Sequence, residues 1–274
     1  MSKRCKWLAL FVTGSALLVC GPNAFAQTAT AQTAPTRSTP RPWKVSFDGS
    51  HGELSGKHSD QGEYKFGLEK AITPKVKVST GVDQHDRFDE LDTQLILGSE
   101  LGFVRHRSLL TITYVEGFGA EEASRHDIDA AFSFQTGKHV RPEFEYEYEQ
   151  YIEDLFLSKV TAGLAFLPSE KLQGELKLVV SNASGGKGGT AGTFGISYAI
   201  NGRVSLKGGG GYGHQHFLAK STTEVKSELT ALGLSGEVDW SLPHHNSVNV
   251  GWEFADRKTA YKTNTLKVGW SRSF

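Results

Sequence analysis

Histidine, serine and carboxylate side chains gather at a few points of this 274-residue chain, and each group suggests a chemistry. Asp83, His85, Asp86 and Asp89 lie close together, and acid–base catalysis needs carboxylate and imidazole within hydrogen-bond reach. His126 beside Asp127 offers the same pair. Ser221 follows His214 and His216, as a serine nucleophile would follow its base, but no nucleophile elbow surrounds it. His214-Gln215-His216 supplies two metal ligands without a third, and His244-His245 reads as a polar turn. Gly208–Gly211 and Gly185–Gly189 are not phosphate loops, since neither leads into Gly-Lys-Ser/Thr and a helix. The first glycine run reads as strand that lets a sheet bend or a bulky neighbour cross it, and the second as an outer loop. The loop carboxylates and histidines read as solvated surface, so no enzyme, metal or cofactor is expected.

The elements that would position these groups announce themselves by period. A strand shows its side chains to opposite faces, so alternating apolar and polar residues mark a sheet with one dry face. Tyr64, Phe66 and Leu68 alternate with Glu63, Lys65 and Glu69, and Phe144, Tyr146 and Tyr148 with Glu143, Glu145, Glu147 and Glu149. The same pattern sets Leu176 and Leu178 against Glu175 and Lys177, and Leu266, Val268 and Trp270 against Lys267 and Gly269. Composition agrees. The chain has 31 Gly, 16 Phe, 8 Tyr and 5 Trp but 1 Met, and its mean hydropathy is −0.34. Beyond the first 26 residues no apolar run approaches the roughly 18–20 residues of a spanning helix. With 30 Lys and Arg against 30 Asp and Glu, nothing points to nucleic acid.

Residues 1–26 have a basic start (Lys3, Arg4, Lys6), an apolar stretch and the ending Ala24-Phe25-Ala26, the layout of a secretory signal peptide cleaved after Ala26. Both cysteines, Cys5 and Cys20, leave with it, so no disulfide is expected. Residues 27–42, rich in Thr, Ala and Pro, read as a disordered periplasmic tether. Residues 43–274 then read as all-β, an antiparallel transmembrane barrel of about fourteen strands, within bounds of roughly 12–16. Turn chemistry at Thr73-Pro74, Gly102-Phe103, Gly137-Lys138, Pro168-Ser169, Asn201-Gly202 and Pro243-His244-His245 marks short periplasmic turns. Longer polar segments such as Glu116–His126, Asn182–Thr190 and His214–Thr223 read as the outer loops between them. Trp43, Trp240, Trp270 and Phe274 fall near the periplasmic ends, and Tyr114, Tyr148, Tyr151 and Trp252 nearer the outer ends, where interfacial girdles belong.

The ending Leu266-Lys267-Val268-Gly269-Trp270-Ser271-Arg272-Ser273-Phe274 resembles the C-terminal strand of bacterial outer-membrane proteins. That resemblance implies recognition by the barrel assembly machinery and a home among outer-membrane lipids. The runs Asp86–Leu95 and Pro142–Tyr151 are similar to the YaiO family of outer-membrane barrels. Members of that family are associated with polysaccharide synthesis or export, sometimes fused to helical repeats that this sequence lacks.

If the apolar face meets lipid, the polar face lines a lumen crowded with charge. Its candidates are Lys65, Glu69, Lys75, Lys77, Asp129 and the ladder Glu143, Glu145, Glu147 and Glu149. Glu175, Lys177, Arg203, Lys207, Glu237, Asp239 and Lys267 complete the set. The ladder is expected to pair with Lys159 and Lys177 on neighbouring strands, and a cation-attracting stripe that binds a basic solute is the alternative. Fourteen strands exceed the roughly eight whose interior side chains just fill, so water is expected inside. Mixed charge with aromatics suits neutral or weakly charged saccharides. The expectation is therefore a channel or conduit for small polar solutes or saccharide chains. A structural or adhesive barrel closed by salt bridges is the alternative, and a hydrolase at the outer rim a third.

Overall fold

In the computed structural model the described residues are 43–55, 61–87, 90–103, 108–118, 125–151, 156–184, 187–218, 225–257 and 261–274. The signal-peptide and tether segments, Asp89 and Ser221 lie outside them. The alternating runs become β1 (Trp43–Leu54), β2 (Gln61–Thr73), β3 (Val76–Arg87), β4 (Glu90–Phe103) and β5 (Ser108–Phe118). They continue as β6 (His126–Phe134), β7 (Val140–Gln150), β8 (Phe156–Phe166), β9 (Leu172–Ala183) and β10 (Lys187–Ala199). The last four are β11 (Val204–Leu218), β12 (Val225–Leu242), β13 (Asn246–Arg257) and β14 (Tyr261–Ser273).

Each strand pairs antiparallel with its neighbours in sequence, and β1 pairs with β14 to close the barrel. The closing seam runs from Lys44 opposite Ser273 to Leu54 opposite Thr263, and the Phe274 amide donates to the Trp43 carbonyl at 2.9 Å. Closure satisfies the backbone groups that an open edge would leave bare in hydrocarbon.

The two faces are inverted relative to a soluble barrel. Phe47, Phe66, Ile112, Phe144, Leu176, Phe194 and Leu266 stand exposed on the outside, whereas Asp83, Asp92, Asp127, Glu147, Glu149 and Lys159 are buried on the inside. Period two forces this result: an outward Phe144 or Tyr146 fixes Glu143, Glu145 and Glu147 inward. Apolar outside and charged inside is the arrangement of a barrel solvated by lipid.

Three expectations about connections change. Inner connections span two to five residues and outer ones two to seven, so the division by length is weak. Polar segments expected as loops are strand instead: Gly188 and Gly189 belong to β10, and His214 and His216 to β11. Their ladders continue because alternating small and polar residues satisfy pairing as well as apolar ones do. Asn201-Gly202 is not a two-residue hairpin. The connection spans residues 200–203, and the Asn201 side-chain oxygen accepts from the amides of Arg203 at 2.8 Å and Val204 at 3.0 Å. Gly137, with φ 79°, does take the left-handed turn conformation.

The inner end carries most of the tryptophans, while Tyr148 and Phe156 stack near the outer ends of β7 and β8. Trp43 opens β1, Trp240 lies near the end of β12, and Trp270 sits opposite Phe47. Lys70 stands 4.6 Å over the Trp43 ring, and the Arg272 guanidinium 4.9 Å over Phe274. These are interfacial positions where a cation reaches headgroups while its stem stays apolar. Trp252, expected nearer the outer end, stands midway along β13 opposite Gly236 and Leu266. Tyr151 leaves the girdle altogether. It is buried, and its hydroxyl donates to Glu149, because it continues the inward face of the glutamate ladder.

Candidate functional site

The lumen is built strand by strand from the inward positions. On β7 these are Arg141, Glu143, Glu145, Glu147 and Glu149, facing Asp127 and Asp129 on β6 and Lys159 on β8. Lys159 Nζ lies 3.1 Å from Glu147 and 2.5 Å from Glu149, which has no solvent exposure. Lower on the same strand Arg141 makes a two-nitrogen contact with Glu143, at 2.9 Å from both Nε and Nη2. Lys177 on β9 lies 3.7 Å from Glu143 and from Glu175.

The opposite wall repeats the theme. Lys77 on β3 reaches Glu100 at 3.0 Å and Glu69 at 3.9 Å. Lys65 lies 3.9 Å from fully buried Asp83. On β11 and β12, Lys207 reaches Glu237 at 2.7 Å and Asp239 at 2.9 Å, and Ser205 donates to Asp239 at 3.0 Å. Lys267 meets Glu253 at 2.5 Å. Gly269 makes room on this side: a Cβ there would meet the side-chain oxygens of Asn249 at 2.0 Å and Asp48 at 2.2 Å.

Toward the inner end the walls stand apart around a cavity of about 1160 Å³. Its bases are Lys44, Lys77, Arg141 and Lys177, matched by Glu69, Glu100, Glu143 and Glu145. Ser241, Ser247, Ser271 and Ser273 form its hydroxyl rim beside His244 and His245. Those histidines occupy a single 3-10 turn, Pro243–His245, with φ of 58° and 60°. Toward the outer end the inward side chains are buried, and apolar Ile96, Val115, Leu157 and Val179 join the charged ones.

Two of the residues expected in the lumen wall stand elsewhere. Lys75 is exposed in the tight turn between β2 and β3, its carbonyl accepting from Gly102 at 2.7 Å. Arg203 is exposed in the connection before β11, its carbonyl accepting from Ser241 at 2.7 Å. Each immediately precedes a strand, so its side chain belongs to the rim.

The groups with catalytic types do not come together in the combinations the sequence suggests. Asp83 and His85 are not on a loop but buried inside β3, and Asp86 is exposed at that strand's outer end. His126 and Asp127 are neighbours on β6 and therefore face opposite ways. Asp127 points into the lumen, while His126 Nδ1 meets Glu116 at 2.9 Å and the Tyr114 hydroxyl at 3.1 Å on the outer face. Among the described residues no group of three or more His, Cys, Asp or Glu is placed to hold a metal ion.

Sequence reasoning underweighted Asp83, His85, Gln94, Glu100 and Arg141 as inward residues. Gly81, Asp83 and His85 do keep period two, but Gln84 between His85 and Asp83 is polar and blurred the faces.

No protein-family profile matches the chain, and no curated protein matches it in sequence. Solved structures do. A bacterial polysaccharide outer membrane secretin superposes with a TM-score of 0.57 at 10% identity, over 86% of this chain and 100% of that one. The likeness is one of fold. This chain has the architecture of an outer-membrane barrel. OccK1 (OpdK) of Pseudomonas aeruginosa gives a TM-score of 0.49 at 8% identity, over 85% and 98% of the two chains. The translocator domain of autotransporter NalP from Neisseria meningitidis gives 0.47 at 13%, over 87% and 90%.

Proposed function

We propose that the protein is a passive aqueous conduit through the outer membrane for small polar solutes. The observation that carries this reading is the inner cavity of about 1160 Å³, walled by balanced charges and serine hydroxyls. Such a lining offers hydrogen bonds without one dominant sign, which suits saccharides, and passage depends on width and lining, with no covalent step. Export of an envelope polysaccharide is the specific form of the proposal. It draws on the YaiO resemblance, and the structurally similar secretin is itself a polysaccharide secretin. In this reading residues 1–26 direct secretion and are removed after Ala26, residues 27–42 tether the barrel, and the strand ending at Phe274 is read by the assembly machinery.

A second reading has an observation of its own. Inward side chains of the outer half are buried, and Lys159 is ion-paired there with Glu147 and Glu149, as a structural or adhesive barrel with a closed lumen would require. Single-channel recording of the refolded barrel in planar bilayers separates the two. Steady conductance, blocked by a neutral oligosaccharide, is expected of the conduit. A barrel that inserts, shown by heat-modifiable gel mobility, yet never conducts would overturn it.

A further inference from the structure

Exposed charge is sorted along the barrel axis. In the described inner turns Lys75, Lys138, Lys171 and Arg203 are exposed, against a single exposed acid, Glu170. Two further bases, Lys70 on β2 and Arg272 on β14, stand at the same end on the lipid-facing side, opposite Trp43 and Val45 of β1. The residues beside them on that face, Leu68, Asn246 and Trp270, carry no charge. None of the six bases forms an ion pair among the described residues, whereas at the outer end Lys262 pairs with Asp256 at 3.1 Å.

Rings, not carboxylates, hold the two lipid-facing cations. Lys70 lies over Trp43 and Arg272 over Phe274, and those rings belong to adjoining strands tied by the Phe274 amide and the Trp43 carbonyl. Because β2, β1 and β14 lie side by side, the cationic heads flank the closing seam from both sides. Immediately deeper on the same face come Val45, Phe47 and Trp270, so the pair sits where the apolar wall meets headgroups. A guanidinium grips phosphate with two parallel donors and an ammonium as a point charge. We propose that the inner end of the β1–β14 seam binds the anionic phospholipid headgroups of the adjoining leaflet, phosphate against Lys70 and Arg272. The other four bases extend the attraction around the rim. A bound headgroup bridges the strand pair that no turn connects, and this role is independent of whether the lumen conducts.

The test is bromine quenching of a refolded barrel that retains only Trp43, each sample set against its own unbrominated control. Phosphatidylcholine vesicles carry the same small fraction of either brominated phosphatidylglycerol or brominated phosphatidylcholine. One basic side chain near an anionic surface enriches it about fivefold. Phosphatidylglycerol is therefore expected to quench Trp43 as if enriched at least about fivefold, and less so in high salt. Lys70→Gln and Arg272→Gln are each expected to cut the enrichment about two- to fivefold, Arg272→Lys to keep most of it, and Lys262→Gln to leave it unchanged. Should Arg272→Gln fail to fold, the parent and Lys70→Gln decide. Equal quenching by the two lipids in the parent would overturn the inference, as would an enrichment that survives in folded Lys70→Gln and Arg272→Gln. Equal quenching together with a Trp43 emission shift on adding polygalacturonate would also overturn it and assign the bases to an acidic polymer.

Discussion

Glu149 has no contact with solvent, so its charge is tolerable only beside Lys159 and the Tyr151 hydroxyl. Removing one partner of a buried ion pair leaves an uncompensated charge, at a cost of about 3–5 kcal/mol. Lys159→Met is therefore expected to lower the urea midpoint of the refolded barrel. Tyr151→Phe removes one hydrogen bond to a charged group, worth about 1.5–3 kcal/mol, and should lower it less. An unchanged midpoint in Lys159→Met would mean that water already solvates the cluster. At this scale the sequence was informative about side-chain direction and poor about company. The ladder Glu143 to Glu149 declared one face by period alone. That Asp127 opposes Glu149 depends on register between strands, which no local pattern encodes. His126 and Asp127 differ in cause: nearness in sequence pairs them, but a strand sends its neighbours to opposite sides.

Strands and turns were more legible than the residues they carry, and for a definite reason. Period two acts over a few residues and needs no knowledge of partners, so the alternating segments emerge as strands close to where the pattern places them. Outer boundaries were less legible because Asn182–Thr190 and His214–Thr223 are polar or glycine-rich yet still partly ladder-paired. Glycine in this part of the wall has a specific duty. A Cβ on Gly213 would lie 2.3 Å from the Ala191 backbone, directly across the ladder, whereas one on Gly192 meets nothing within 4 Å. Gly213→Val is expected to lose about 1–3 kcal/mol as overpacking and to reduce the folded, heat-modifiable fraction. Gly192→Ala should refold like the parent, and equal yields for both variants would contradict the close approach. At the inner turn before β11, Asn201→Ala leaves two amides without their side-chain acceptor. A loss of about 1 kcal/mol in the same urea titration is expected.

For the whole molecule, an inverted surface and a cluster of tryptophans at the inner end set how it sits in a bilayer. Trp43, Trp240 and Trp270 cluster at the end where β1 begins and β14 finishes, and Trp252 lies mid-wall. Fluorescence of a variant retaining only Trp252 should be quenched most by lipids brominated deep in the acyl chain. One retaining only Trp43 should respond most to bromine near the headgroup, and equal depths for the two would refute the placement. The barrel class was legible because lipid imposes one rule on every strand at once. The axial sorting of charge was not, since it arises only when fourteen strands align. The seam between β1 and β14 carries a further consequence. Its partners are the first and last strands described, so a chain shortened at its end is not a slightly weaker barrel. It is an open sheet with two bare edges, the form most prone to pair with other chains. Completeness is thus checked by geometry: only a chain finished to its last strand can hide its own edges, and until then it must be kept from its neighbours.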